Sequence, residues 1–255
     1  ESLLDYVITK GYKKTPLLVH YRSNHSALIE FSNNAFYSGN LLPIIKNENY
    51  IPIISCRVDG LYTQRTNPAE ADKAIEILND LVDIKKGICP SVGIATFNLF
   101  QRDLINEKLS KKAASDSIFA EKLQMLNSNR KPLFVKNLEN IQGDERDVII
   151  ITTTFGKDSE GKFRKHFGPL NNKNGYRLLN VIITRAKDRV YICTSIPEEE
   201  IFKFESELKK TDKNDGVPIV LAYLAYAKAV SEGNKKEIKH ILDVVKKLST
   251  EVRIL

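Results

Sequence analysis

Cysteine is scarce in this chain. Cys56, Cys89 and Cys193 are the only three in 255 residues, they lie far apart, and none belongs to a CxxC pair. A disulfide framework and a zinc ribbon are thereby excluded, and a reducing compartment, the cytoplasm, is the expected location. Long apolar runs are also missing: none reaches the roughly 18 residues of a membrane span. The N-terminus has no basic segment followed by an apolar stretch, so no membrane partner is expected. The four histidines, His20, His25, His166 and His240, lack metal-ligand spacing. No Ser/His/Asp or Cys/His triad is evident, and Ser195 has no nucleophile-elbow context. No GxxxxGK[ST] string occurs, so the chain has no loop of its own to cradle a triphosphate. Its first residue is Glu1 rather than Met, which leads to the expectation of a segment excised from a longer protein.

What is present is ordinary globular composition, 42% hydrophobic and 28% charged, with enough length for a sizeable core. The formal net charge of +7 favours a polyanionic partner. Short, nearly apolar runs at 17–21, 51–58, 92–97, 133–137, 148–154 and 190–194 predict strands of a parallel sheet covered on both faces. Helical patterns at 25–36, 68–86, 100–109, 115–127 and 178–186 alternate with them, and three more follow at 197–210, 217–230 and 235–248. The class is therefore α/β. The helix from Pro68 carries its own start signal, with Asn67 as cap and Glu70 where a capping-box acid belongs. Between 158 and 175, Gly161, Gly168, Pro169, Asn171, Asn172, Asn174 and Gly175 mark a long surface insertion. Its length is typical of functional loops, and Arg164, Lys165 and His166 within it are candidates for phosphate contact. The polar stretch 211–218 suggests a division into a domain over 1–210 and a helical extension or linker over 211–255, leading toward a further domain.

Three separated segments carry the chemistry. His20-Tyr21-Arg22-Ser23-Asn24-His25 leaves a predicted strand and enters a helix; Gln142-Gly143-Asp144-Glu145-Arg146-Asp147 runs into the strand at 148; and Arg177-Leu178-Leu179-Asn180-Val181-Ile182-Ile183-Thr184-Arg185-Ala186-Lys187 precedes the strand at 190. The first two contain common strings, the full Arg177 to Lys187 string is not one, and all three sit in order at strand termini. Phosphoryl transfer requires positive charge at the γ-phosphate, and arginine supplies it as a permanently charged, planar donor. On its predicted helix Arg185 would be anchored by Leu179, Ile182, Ile183 and Ala186. Gly143, without a side chain, permits a tight turn and close backbone approach.

Together these segments resemble motifs IV, V and VI of superfamily-1 helicases, in the branch of the RNA-surveillance helicases and their bacterial DNA relatives. The likeness covers residues 1 to about 229 and is strongest to large bacterial helicase-like proteins that share the Gln142 to Asp147 segment and the insertion Phe167-Gly168-Pro169-Leu170-Asn171. It implies a RecA-like parallel sheet flanked by helices, with a helical C-terminal extension, serving as the second motor domain of an ATP-dependent helicase or translocase. Arg185 would then be an arginine finger and Arg22 a second arginine at the γ-phosphate. Tyr21 would stack on the base, Glu145 would accept from the ribose hydroxyls, and Gln142 and Gly143 would line the cleft. ATP and Mg²⁺ would be held mainly by the N-terminal motor domain of the same parent protein, so that this chain alone hydrolyses no ATP. Thr96-Phe97-Asn98 stands where relatives carry Thr-Pro-Tyr, and with Asn180 and Thr184 it implies contact with single-stranded nucleic acid, DNA favoured over RNA. Phe97 offers either a stacking face or a core side chain. One departure is the single Arg177 before Leu178, where relatives carry two arginines. Two other readings stand beside this one: a nucleic-acid-binding or adaptor module with a relic helicase cleft, and an accessory domain of a nuclease.

Overall fold

The apolar run expected at 17–21 makes only a short strand, β1 (Val19–His20), which pairs in parallel with β2 (Leu42–Pro43). Helix α1 (Ala27–Tyr37) connects them. This is a correction to the expected buried strand of the main sheet: Val19 is 54% exposed and Tyr21 71%. Polar His20 interrupts the run after two described apolar residues, too few to fill a position covered on both faces. The structure, a computed structural model, describes residues 6, 7, 9–12, 18–172, 175–210 and 216–251, the last four by backbone alone. The expected strand start at Leu17, Asn174 of the insertion and residues 211–215 lie outside the described residues.

The other five runs form one all-parallel sheet in the order β3–β7–β6–β4–β5. Its strands are β3 (Ile53–Arg57), β4 (Val92–Thr96), β5 (Phe134–Asn137), β6 (Arg146–Thr152) and β7 (Ala186–Thr194). Side chains alternate between the faces with the period of two that a pleated strand imposes. Ile149 and Ile151 join one core cluster, and Val148 and Ile150 the other. The second cluster is completed by α2 (Pro68–Asp80), α3 (Leu99–Ser115) and α4 (Ser117–Ser128), through residues such as Leu78, Ile105 and Phe119.

The first cluster is larger, and among the described residues four long helices and two short ones reach it. Beside α1 stand α5 (Gly175–Ile183), then, after the short α6 (Glu198–Ile201) and α7 (Phe204–Lys210), α8 (Gly216–Ser231) and α9 (Lys235–Glu251). Helix α8 is apolar nearly all round, the signature of a helix with no solvent face. From Gly216 to Ala227 every residue is buried, and the Tyr226 hydroxyl donates to the Ala27 carbonyl at 2.9 Å. The helical segment after 210 is thus built into the same core as the sheet.

The insertion is also only partly superficial. Phe167 and Leu170 are fully buried, and a Cβ on Gly175 or Gly216 would stand 2.2 or 2.5 Å from the Leu170 carbonyl oxygen. Glycine at these two positions lets both helix starts close on that turn. At α2 the cap is as expected, with the Glu70 N–H donating to Asn67 Oδ1 at 3.1 Å and Pro68 in the first turn. The Glu70 carboxylate does not return to Asn67 N–H as a capping box would. That N–H is taken by Gln101 Oε1 at 2.7 Å, and Glu70 turns inward to the strand ends. Among the described residues no helix is long and apolar enough to cross a membrane.

Candidate nucleotide site at the amino edge of the sheet

Strands β6 and β7 are neighbours, and both start at the same edge, at Arg146 and Ala186. The residues just before each start are the two later motifs, so the sheet itself brings them together. Gly143, at φ +89°, makes the turn that delivers Glu145 to this edge. The first motif is tied on by Asn24, whose backbone N–H donates to the Lys187 carbonyl at 2.8 Å and whose amide bonds the Asp188 carboxylate.

The Glu145 carboxylate then sits among cations, with Asp144 beside it also acting on Arg185. Glu145 accepts from Arg22 Nε at 2.8 Å and from Lys131 Nζ at 2.7 Å, and Lys187 Nζ lies 3.5 Å away. Arg22 also reaches the Thr184 carbonyl at 3.4 Å. Arg185 is folded back onto the end of α5, donating to the Val181 carbonyl at 2.8 Å and to Thr184 Oγ1 at 3.1 Å. The electrostatic consequences agree. Hydrogen bonds from Lys131 and Arg22 pull Glu145 down to about 2. Burial first, then the nearby charges of Arg22 and Arg185, lowers His20 to about 4, leaving it neutral at pH 7. Burial and the charge of Arg22 lower Arg185 as well. Positive charge in excess of its internal counter-ions, Glu145 and Asp144, is the arrangement that a bound polyphosphate relieves.

Of the other expected site residues, Tyr21 is exposed at the mouth of this cluster, and Gln142 and Gly143 form its exposed turn. Asn180 and Thr184 belong here too: the Thr184 hydroxyl donates to the Asn180 carbonyl at 2.8 Å, and Asn180 Nδ2 to the Tyr37 hydroxyl at 3.1 Å. Thr96, Phe97 and Asn98 lie at the other end of β4, one strand length away, on the order of 15 Å. The five residues expected to touch nucleic acid therefore do not come together. The Thr96 hydroxyl is buried and donates to the Asn98 carbonyl at 2.7 Å. Phe97 is 2% exposed and packs near Phe155, which removes its stacking face. Asn98 caps α3, accepting from the Gln101 N–H at 2.8 Å. Lys131 was not legible as a site residue, because it precedes β5 in a plain polar turn and meets Glu145 only through the fold.

A five-stranded parallel sheet between helix layers, with arginines and lysines gathered where two central strands begin, defines a RecA-like motor domain of the superfamily-1 helicase type. The AAA domain family, AAA_12, matches residues 1–196, and the chain belongs to that family. Over 259 residues it is 30% identical to an uncharacterized ATP-dependent helicase of Mycoplasma genitalium, MG140, covering 99% of this chain and 22% of that protein. The MG140 homolog of Mycoplasma pneumoniae is 30% identical over 244 residues, 93% of this chain and 20% of the relative. Regulator of nonsense transcripts 1 of Caenorhabditis elegans is 26% identical over 210 residues, 73% of this chain and 17% of the relative. The chain thus spans about a fifth of the length of the curated relatives it matches.

Proposed function

We propose that this chain is the second motor domain of an ATP-dependent helicase or translocase, delivering Arg22 and Arg185 to a triphosphate held across a cleft by a first motor domain. The observation that carries the reading is the cluster of Arg22, Lys131, Arg185 and Lys187 around the Glu145 carboxylate. ATP supplies the phosphoanhydride whose cleavage drives the cycle. Mg²⁺ belongs with the first motor domain, which holds most of the triphosphate whose oxygens bind the ion.

Arg185 unfolds from the Val181 carbonyl and donates to the γ-phosphate oxygens, where charge gathers during transfer. Arg22 follows when Glu145 exchanges it for the ribose hydroxyls. Tyr21 stacks on the base, and Gln142 and Gly143 line the entrance. Asn180 and Thr184 hold the end of α5 from which the finger projects. Single-stranded nucleic acid, DNA favoured over RNA, stimulates turnover in the full-length protein, and the chain by itself hydrolyses none.

The test is ATP hydrolysis by the full-length protein with and without single-stranded DNA or RNA, beside a folded Arg185→Ala variant. The expected loss of turnover is on the order of 10³-fold or more, with ATP binding retained. Near-normal turnover in the variant rejects the finger. Absence of turnover with either strand in the folded parent transfers the reading to the adaptor module.

A further inference from the structure

The carboxyl edge of the sheet, opposite the nucleotide site, carries a cavity with an unusual support. Where β6 ends, Thr154 adopts φ +71°. A β-branched residue enters this left-handed region only where its surroundings hold it. Glu70 does the holding. Fully buried, its carboxylate accepts from the Thr154 N–H at 2.6 Å, the Ser195 N–H at 2.7 Å and the Thr153 hydroxyl at 3.1 Å. Gly156 follows, and a Cβ there would stand 2.8 Å from the Gly60 carbonyl oxygen. The chain after β6 is thereby set in one path, which places Phe155 as the floor of a cavity of about 350 Å³.

The lining is aromatic below and cationic at the rim. Phe155 stacks on Phe167 with ring centres 5.0 Å apart, and Tyr62 stands 5.2 Å from Phe155 as a wall. Lys162, Arg164 and His166, from the exposed part of the insertion, complete the rim with Asp158. Asp158 Oδ1 already accepts two backbone N–H groups of its own turn, at 3.0 and 2.9 Å. Arg164 lies 3.8 Å from half-buried Asp158 and Lys162 3.0 Å from exposed Glu160, and both cations are themselves exposed, so water screens these pairs and a phosphate can replace them at little cost. Lys165, next to Arg164 in sequence, points away to Glu200 and Glu207. On the same edge, next to Asn98, Phe100 is 46% exposed with Arg65 4.8 Å above its ring.

An aromatic wall and floor beneath exposed cations suit one ligand chemistry best, an unstacked base with its flanking phosphates. A volume of this size falls in the range of small-molecule pockets. We infer that the Tyr62–Phe155 cavity receives one base of a bound single strand, with Arg164 and Lys162 on the adjoining phosphates. The inference rests on the helicase reading above, and it moves the stacking contact from buried Phe97 to Tyr62.

The experiment measures binding of fluorescein-labelled oligo-dT and oligo-U to the full-length protein by anisotropy, over a series of salt concentrations. Tyr62→Ala is expected to weaken binding about tenfold, while Tyr62→Phe keeps it. Arg164→Ala is expected to weaken binding and to lower the salt slope by about one. Arg164 is 78% exposed, so that variant folds whatever Tyr62→Ala does. Wild-type affinity in a folded Tyr62→Ala, or an unchanged affinity and salt slope in Arg164→Ala, overturns the cavity while the helicase reading stands. If the unmodified protein binds neither strand, the helicase reading itself has failed.

Discussion

Glu70 and Glu145 are carboxylates driven in opposite directions by their surroundings. Burial raises Glu70 from 4.5 to about 7, against the hydrogen bonds from Thr154, Ser195 and Thr153. Between those two values the native chain binds more protons than the unfolded chain, so the contribution of Glu70 to stability falls as pH rises through that window. Glu145, drawn from 4.5 to about 2, acts the other way: its contribution is present above 4.5 and is lost as pH falls toward 2. His20, lowered from 6.5 to about 4, favours the native state above 6.5 and loses that contribution as pH falls toward 4. The His20 window overlaps that of Glu70 with the opposite sign, so Glu70 is isolated by the difference between the unmodified chain and Glu70→Gln in urea melts from roughly pH 5 to 7.5. The stability of the unmodified chain relative to Glu70→Gln is expected to fall as pH rises through that range, and parallel curves for the two would sink the assignment of a buried carboxyl that titrates near neutrality.

At the scale of elements, α2 was legible at its start and not at its end. Asn67, Pro68 and Glu70 are local signals, and the cap they predict is present. The helix stops at Asp80, short of the expected 86, because 83–88 closes a turn of its own through Asp83 and Ile88, with Gly87 at φ +64°. Asn67 is also more than a cap. Its side chain donates to Ser195 Oγ at 2.9 Å, and its backbone exchanges two hydrogen bonds with the Gln101 amide, at 2.7 and 2.9 Å. Asn67→Ala is therefore expected to cost about 2 kcal/mol, the upper end for a lost cap, read as a lower midpoint in chemical denaturation. The backbone bonds to Gln101 survive the substitution, so a cost near that of an exposed cap, about 0.5 kcal/mol, would show that the buried side-chain bond to Ser195 contributes nothing beyond the helix start. The boundary between α5 and β7 was misjudged for a related reason. Thr184 and Arg185 leave the helix and β7 begins at once at Ala186, since the Arg146 N–H bonds the Arg185 carbonyl at 3.1 Å and draws this segment into the sheet.

Across the whole molecule, β6 and β7 connect two faces with different chemistry: the cations around Glu145 where the strands begin, and the Glu70 support and Tyr62 cavity where they end. Helix α8 covers one side of that frame, against β3, α5 and α1. Ending the chain after residue 210 is expected to abolish cooperative thermal unfolding, because it strips the cover from Ile53, Phe31 and their neighbours in the same cluster. A truncated chain that melts cooperatively at the temperature of the intact one would make α8 an appendage.

By itself the sequence determined the alternation of strand and helix, six apolar runs of which five form the parallel sheet, and the three motif segments, because each follows from apolar periodicity or from a run of adjacent residues. It also determined the excess of arginine and lysine without saying where that charge collects. Only the tertiary structure decided that Lys131 meets Glu145, that Phe97 is core, that Glu70 turns from its own helix to two strand ends, and that α8 belongs to the main core. Each of these depends on residues distant in sequence becoming neighbours, and burial, which sets both the Phe97 contact and the Glu70 charge state, does not exist until the sheet and its helices have closed.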